Sequence, residues 1–156
     1  MEFVALIGIG TATMTAAATG ALFGPGEWYR GLDKPGWTPP DWVFPVTWTV
    51  LYILMVWSGY RVATSDADLA PAALGVFAAQ ITLNAIWSPV FFGLHKMGVA
   101  MAVLVGLWIA VAAQMALYWL IDPPSGLMTL PYLVWVTIAG ALNLSVWRRN
   151  PAAVAA

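Results

Sequence analysis

The chain has 156 residues, of which 62% are hydrophobic and only 8% are charged, and its mean hydropathy is +0.81. Soluble domains carry about 25% charged residues, so this composition excludes a soluble domain and indicates a polytopic membrane protein. The net charge of −1 gives no electrostatic reason to expect nucleic acid as a partner. The absence of cysteine excludes disulfides, iron–sulfur ligation and thiol nucleophiles.

The charged residues divide the chain into five uncharged stretches. These stretches lie near 3–23, 42–60, 70–94, 97–121 and 123–147. Each is close to the roughly 20 residues that a helix needs to cross a bilayer. The sequence therefore predicts an all-α fold, a single integral membrane bundle of five transmembrane helices, with a long loop over 24–41 between the first two spans.

The basic residues are distributed unevenly between the two ends of these spans. Five of the six fall on the side of the loop 24–41 and the C-terminus: Arg30, Lys34, Lys96, Arg148 and Arg149. Only Arg61 falls on the other side. Because basic loops are retained in the cytoplasm, we expect the loop and the C-terminus to be cytoplasmic. No targeting segment is recognised, which favours a bacterial cell membrane.

The second span begins in a segment rich in tryptophan and proline. Pro39 and Pro40 suit the first turn of a helix, and Pro45 is expected to bend the helix further along. Four residues share one helical face: Pro45, Trp48, Tyr52 and Met55. We interpret this face as one wall of a binding cavity.

The loop 24–41 is far longer than most helix–helix connections, and it contains Trp28, Tyr29 and Trp37. Long aromatic loops often act as lids over a site. Tryptophan and tyrosine also form belts at the membrane surface. The lid and the belt remain equal alternatives at this point.

The third span carries one stripe of amides and aromatic residues. Its members are Gln80, Asn84, Trp87 and Phe91. Polar side chains in a bilayer face protein or water, so the stripe points inward. It either lines a cavity or joins helices through hydrogen bonds. Two amides with two aromatic rings favour the lining, and Pro89 is expected to bend this helix.

The fifth span repeats the pattern. Tyr132, Trp135, Ala139 and Asn143 fall on one face, with Pro131 near its start. A cavity built from the three stripes would suit a large, flat, mostly apolar ligand. Its polar edge would be oriented by three amides: Gln80, Asn84 and Asn143.

Two spans carry small residues at four-residue steps, a spacing that allows close helix approach. In the first span these are Gly8, Ala12, Ala16 and Gly20. Packing within the subunit is favoured there, and a dimer contact is the alternative. In the fourth span they are Gly98, Ala102, Gly106 and Ala110, which indicates a packing helix.

The single histidine, His95, lies in the short turn between the third and fourth spans. An axial haem ligand would have to reach the cavity from this interfacial turn. A solvated turn residue is the favoured interpretation. The spans contain no acid–base pair, nucleophile or metal cluster, so hydrolytic and metal catalysis are not expected.

Three segments carry a family resemblance: KPGWTPPDWVFPVTWTVLY at 34–52, NAIWSPVFFG at 84–93 and PYLVWVTIAGALN at 131–143. Together they resemble the signature blocks of the translocator protein family. Its bacterial members are called tryptophan-rich sensory proteins, and its animal mitochondrial members are called peripheral-type benzodiazepine receptors. The resemblance extends over the whole chain. It implies a five-helix bundle, usually a homodimer, with a pocket beneath the first loop that binds porphyrins such as protoporphyrin IX and haem.

The resemblance also implies a set of ligand-binding residues. The walls would be Trp48, Tyr52, Asn84, Trp87, Phe91, Trp135 and Ala139, with Asn143 added from the fifth-span stripe. Tyr29 and Trp37 would close the pocket from the loop. The chain departs from the vertebrate sterol motif, since Leu144 stands where a tyrosine is found, so tight cholesterol binding is doubtful.

Three functions are compatible with these residues. The favoured one is a tetrapyrrole-binding sensory or regulatory protein in contact with membrane lipid, which requires no cofactor or metal. The second is an enzyme for light- and oxygen-dependent porphyrin breakdown, in which Trp48 and Trp135 would donate electrons. The third is a transporter, against which stands the absence of a coupling-ion carboxylate within the spans.

Overall fold

The computed structural model describes residues 2–154. Its elements are α1 (Glu2–Leu22), α2 (Glu27–Arg30), α3 (Val43–Ala63), α4 (Ala70–Ser88), a π-helical segment (Pro89–Gly93), α5 (Met97–Ile121), α6 (Pro123–Arg149) and a short 3₁₀ helix (Pro151–Val154). No strand occurs in this part of the chain. The all-α prediction is confirmed.

Five helical spans are long and apolar enough to cross a membrane: α1, α3, α4 together with the π-helical segment, α5 and α6. Their bounds agree with the predicted spans to within three residues. The agreement follows from charge placement, because each charged cluster lies in a connection or at a helix end. The chain is an integral membrane protein.

The five spans form a closed ring. α1 packs against α3 and α4, α3 packs against α6, and α5 packs against both α4 and α6. The order around the bundle is therefore α1, α3, α6, α5, α4. α2 and the rest of the loop 24–41 cover one end of this ring.

The α5–α6 hairpin is packed most closely. A Cβ on Gly126 would lie 2.7 Å from Cα of Trp119, so a larger residue would separate the two helices. Near the other end of the hairpin, a Cβ on Gly98 would lie 2.9 Å from the Trp147 ring. The packing role predicted for the fourth span is confirmed at Gly98, whereas Ala102 is exposed.

Asp122 joins three elements at the end of the bundle opposite the lid. Its carboxylate caps α6 by accepting hydrogen bonds from the backbone N–H and the hydroxyl of Ser125. It also forms a two-pronged ion pair with Arg61 of α3, with both N–O distances 2.8 Å. The bond from Arg61 is the largest of the causes that lower the pKa of Asp122 to about 2.

Two expectations about prolines in the second span are wrong. α3 begins at Val43, after a turn in which the Val43 N–H donates to the Pro40 carbonyl, so Pro39 and Pro40 precede the helix. Pro45 then falls in the first turn, where a backbone N–H has no helical partner in any case. Pro45 therefore leaves no helical carbonyl without its N–H partner, and it gives no reason to expect a bend in α3. Pro89, in contrast, marks the change from α to π hydrogen bonding.

The small residues of α1 differ in whether they contact the rest of the bundle. Ala16 is buried, Ala12 packs against the core, and Gly20 approaches the Ser88 hydroxyl of α4. Packing within the subunit is therefore confirmed for these three. Gly8 is exposed, and a Cβ added there would meet no atom within 4 Å.

Candidate ligand-binding cavity

A cavity of about 490 Å³ lies inside the ring, directly beneath the loop 24–41. All five spans and the loop contribute to its lining, which is mostly apolar. Ligand pockets in proteins measure roughly 300–1,000 Å³, so the cavity has the size of a site for one organic ligand.

Nine of the ten predicted site residues line this cavity. They are Tyr29, Trp48, Tyr52, Asn84, Trp87, Phe91, Trp135, Ala139 and Asn143. Trp37 is the exception, because it lies at the tip of a turn closed by the Thr38 N–H and the Pro35 carbonyl. Its side chain is 52% exposed and is not part of the lining.

Aromatic pairs from different helices form the walls. Trp48 and Tyr52, one turn apart on α3, stack with ring centroids 5.3 Å apart. Trp87 of α4 and Phe91 of the π-helical segment stack with ring centroids 5.1 Å apart. A third pair joins α3 to α6, where the rings of Phe44 and Trp135 meet edge to face at 5.6 Å. The cavity therefore offers aromatic faces from three directions.

A chain of hydrogen bonds forms the floor. The Tyr52 hydroxyl donates to Asn84 Oδ1 (3.2 Å), and Asn84 Nδ2 donates to the Tyr132 hydroxyl (2.9 Å). The Tyr132 hydroxyl in turn donates to Gln80 Oε1 (3.0 Å). This chain links α3, α4 and α6, and it satisfies polar groups that would be costly to leave unpaired in a bilayer.

The hydrogen-bond chain corrects the prediction for Gln80. Gln80 is fully buried beneath the floor and is not part of the lining, so it joins helices instead of facing a ligand. Tyr132 is likewise buried in the chain, and Met55 lies in the core. Asn84 combines both roles, because it lines the cavity and bonds to two tyrosines.

Two other lining residues carry polar atoms that lack a partner among the described residues. Asn143 Nδ2 donates to the Met97 carbonyl at 3.1 Å, but Asn143 Oδ1 accepts no hydrogen bond. Trp87 Nε1 is also buried without an acceptor. Both atoms are buried among protein atoms, so leaving each of them without a partner opposes folding.

The loop 24–41 covers the cavity, as the lid interpretation predicts, while the exposed Trp37 is also compatible with a belt at the membrane surface. Tyr29 lines the cavity from above. The ammonium of Lys34 shapes the loop by donating to the Tyr29, Leu32 and Arg30 carbonyls at 2.8, 3.2 and 3.3 Å. Burial raises the pKa of the Tyr29 phenol, and the Asp41 carboxylate raises it further.

A second contact ties the lid to the end of α6. The Asp33 N–H donates to Asn150 Oδ1, and Asn150 Nδ2 donates to the Asp33 carbonyl, both at 2.9 Å. The guanidinium of Arg149 lies 3.4 Å from the Asp33 carboxylate. The middle of the lid loop is thus fixed to the end of the helix that carries Trp135 and Asn143.

His95 lies outside the cavity. Its exposed imidazole stacks on Trp28 of α2, with ring centroids 4.1 Å apart. The interpretation as an exposed turn residue is confirmed, and the stacking is an addition that the sequence did not reveal. Among residues 2–154, no cluster of three or more His, Cys, Asp or Glu side chains could hold a metal ion.

Sequence reasoning missed two aromatic residues of the lining. Phe44 lies four residues before Trp48, so the same helical spacing could have found it. Phe92 lies on a different face from Trp87 and Phe91 in an α-helix. Only the π-helical segment brings it to the cavity, and single-sequence patterns carry no signal for that segment.

Comparisons with known proteins agree with this architecture. The TspO/MBR family matches the chain over residues 3–148. Protein CrtK of Rhodobacter capsulatus is 54% identical over 138 residues, which cover 87% of this chain and 86% of the relative. The tryptophan-rich sensory protein of Cereibacter sphaeroides is 46% identical over 134 residues (86% and 84%). The human translocator protein is 34% identical over 154 residues (95% and 91%).

The ring of five spans, the aromatic cavity and its lid define a class of membrane protein built around an internal cavity. The family match extends over nearly the whole chain and includes every residue of the aromatic walls. The chain belongs to the TspO/MBR family. The resemblance seen in the three sequence blocks is confirmed.

Proposed function

We propose that this protein binds a tetrapyrrole in the cavity and acts as a sensory or regulatory protein of a bacterial cell membrane. The supporting observation is the set of three aromatic pairs that line the cavity. Their rings come from α3, α4, the π-helical segment and α6. A porphyrin macrocycle is flat and apolar, and it stacks on such faces. The names of the relatives, a sensory protein and a translocator protein, agree with a ligand-dependent role.

Metal-free protoporphyrin IX suits the lining better than haem. Haem iron in proteins is held by histidine, cysteine, methionine or an ionised tyrosine, and of these types the lining contains only tyrosines. The pKa of Tyr29 is raised, and the Tyr52 hydroxyl donates its proton to Asn84, so neither phenol is prepared to bind iron as an anion. The one histidine stacks on the outside of the lid helix. The Asn143 side chain contributes to the wall, but its unpaired Oδ1 is buried and does not face the cavity space.

Light-dependent porphyrin breakdown is a second candidate. Trp48 and Trp135 both line the cavity, so both indoles would lie beside a bound macrocycle. An excited porphyrin could take an electron from either indole, with oxygen as the final oxidant.

For transport, no specific observation of this kind favours the function. A homodimer stays a prediction.

Illumination separates binding from breakdown. Purified protein is mixed with protoporphyrin IX, and the Soret absorbance is followed in the dark and in light, with and without oxygen. Simple binding predicts a shifted but constant band under all conditions. Bleaching that requires light and oxygen, and that is lost in Trp48→Phe or Trp135→Phe, would establish the enzyme. The absence of any spectral shift at micromolar protein would contradict tetrapyrrole binding.

A further inference from the structure

The lid helix α2 rests on aromatic side chains at the end of the third span. Trp28 stacks on His95 with centroids 4.1 Å apart and planes 17° apart. Tyr29 meets Phe92 edge to face at 5.3 Å. Phe91 lies between them, 5.8 Å from Trp28 and 6.1 Å from Tyr29. We call Phe91, Phe92 and His95 the lid platform.

The platform depends on the π-helical segment Pro89–Gly93. In an α-helix, residues five apart point about 140° away from each other, so Trp87 and Phe92 would face different sides. The wider turn, closed by the Leu94 N–H and the Pro89 carbonyl at 2.9 Å, brings their rings to 5.6 Å. Phe91 and Phe92 therefore both reach the lid and the cavity.

The backbone of His95 has a conformation that is uncommon for residues other than glycine, although histidine adopts it more often than most. Its φ of 58° lies in the left-handed region, and no other non-glycine residue among those described has a positive φ. The Lys96 N–H donates to the Val90 carbonyl at 3.1 Å, which closes a helix end in which the left-handed position usually holds glycine. Glycine would fit this position without strain, whereas the imidazole at this position supplies the ring that stacks on Trp28.

We propose that His95 is a positioning residue that holds the lid closed: through its stack on Trp28 it keeps α2, and with α2 the side chain of Tyr29, over the cavity. Neither His95 nor Trp28 lines the cavity, so the pair acts through the lid and not by contact with an occupant. Lid closure does not depend on the identity of the ligand. Only the consequence, slower release of a tetrapyrrole, rests on the proposed function.

The first test measures the lid in the ligand-free protein by amide hydrogen exchange. The amides of Arg30, Gly31 and Leu32 are hydrogen-bonded within the lid, and a four-residue helix is not stable once it is undocked. His95→Gly suits the left-handed backbone, so the turn should still fold. From the usual contribution of an aromatic pair to stability, we expect the amide exchange rates over 24–41 to rise roughly two- to tenfold. The exchange rates of the membrane spans should be unchanged.

Matched variants separate a stacking role from a structural one. Trp28→Ala should raise lid exchange as His95→Gly does, the double variant should add little, and Trp28→Phe should retain most of the protection. Lys96→Ala, in the same turn but without a ring contact to the lid, is the control. Unchanged exchange over 24–41 in His95→Gly, or an equal rise throughout the spans, would overturn the proposal.

The second test uses protein loaded with protoporphyrin IX and follows its release into excess apomyoglobin. His95→Gly should release the porphyrin faster by about the factor seen in lid exchange, while the initial spectrum is unchanged. If the wild-type protein binds no porphyrin, the proposed function fails, and the exchange experiment still decides the role of His95. Faster exchange with an unchanged release rate would overturn the link between lid closure and retention.

Discussion

Two buried glutamines differ in what surrounds their amides, although both are fully inaccessible to solvent. Gln80 accepts a hydrogen bond from Tyr132 and so closes the chain that runs under the cavity. Both amide atoms of Gln114, on α5, lack a partner among residues 2–154, as does the hydroxyl of Tyr118 one turn away. Burial of an unpaired amide opposes folding, whereas a paired amide joins helices.

This difference predicts opposite results for the same substitution. Gln80→Met leaves the Tyr132 hydroxyl without its acceptor, so unfolding in a detergent titration should require about 0.5–2 kcal/mol less free energy. Gln114→Met replaces an unpaired amide by an apolar group of similar length, so stability should be unchanged or higher. A loss for Gln114→Met as large as that for Gln80→Met would mean that the Gln114 amide has a partner.

At the level of elements, the spans could be predicted because their ends carry charges and their interiors carry none. The inward stripes of α3, α4 and α6 could be predicted because aromatic and amide residues recur at helical spacing. Pro39 and Pro40 precede α3 and do not begin it, because proline suits both a turn and the first turn of a helix. Gln80 was misassigned because a helical stripe gives a direction but not a depth along the helix.

Departures from regular helix geometry account for what remained hidden. Phe92 lines the cavity only because the segment around it is π-helical. Trp37 lies outside the cavity because it is part of the turn that begins at Pro35. The stack of His95 on Trp28 joins residues that are 67 positions apart. One lies in a turn and the other in the lid loop, where the residue spacing of a regular helix or strand gives no guidance. Such contacts depend on tertiary packing, which a single sequence does not encode in any local pattern.

The ion pair of Asp122 with Arg61 predicts how stability depends on pH. Folding lowers the pKa of Asp122 from 3.8 to about 2, so its contribution is complete above the unfolded value and is lost as the pH falls from 3.8 towards 2. As the pH falls over this range, the stability of the wild type against detergent should therefore decrease more than that of Asp122→Asn. The variant has no carboxylate to protonate at this position. Parallel pH profiles for the two proteins would contradict this account of the pair.

The whole molecule is a ring of helices whose two ends are closed differently. At one end the lid rests on the platform and is tied to α6 through Asp33 and Asn150. At the other end Asp122 joins α3, α5 and α6. The cavity lies at the lid end, so we expect any ligand to enter or leave there and not at the end joined by Asp122.

The distribution of basic residues predicts that the lid end is cytoplasmic. The chain contains no cysteine, so single labelling sites are available. Gly36→Cys, exposed in the lid loop, should react with an impermeant maleimide only after spheroplasts are lysed. Asp66→Cys, exposed between α3 and α4, should react in intact spheroplasts. The reverse pattern would invert the topology.

The most direct measurement of the central claim compares protoporphyrin IX affinity, by quenching of tryptophan fluorescence, in two variants. Trp48 lies on the cavity wall, and Trp119 lies 53% exposed on the outer surface of α5. Trp48→Ala removes aromatic area from the ligand contact, which costs about 1.5–3 kcal/mol, so affinity should fall roughly ten- to a hundredfold. Trp119→Ala should leave affinity nearly unchanged. Equal losses of affinity at matched folded fraction would contradict a porphyrin site between these walls.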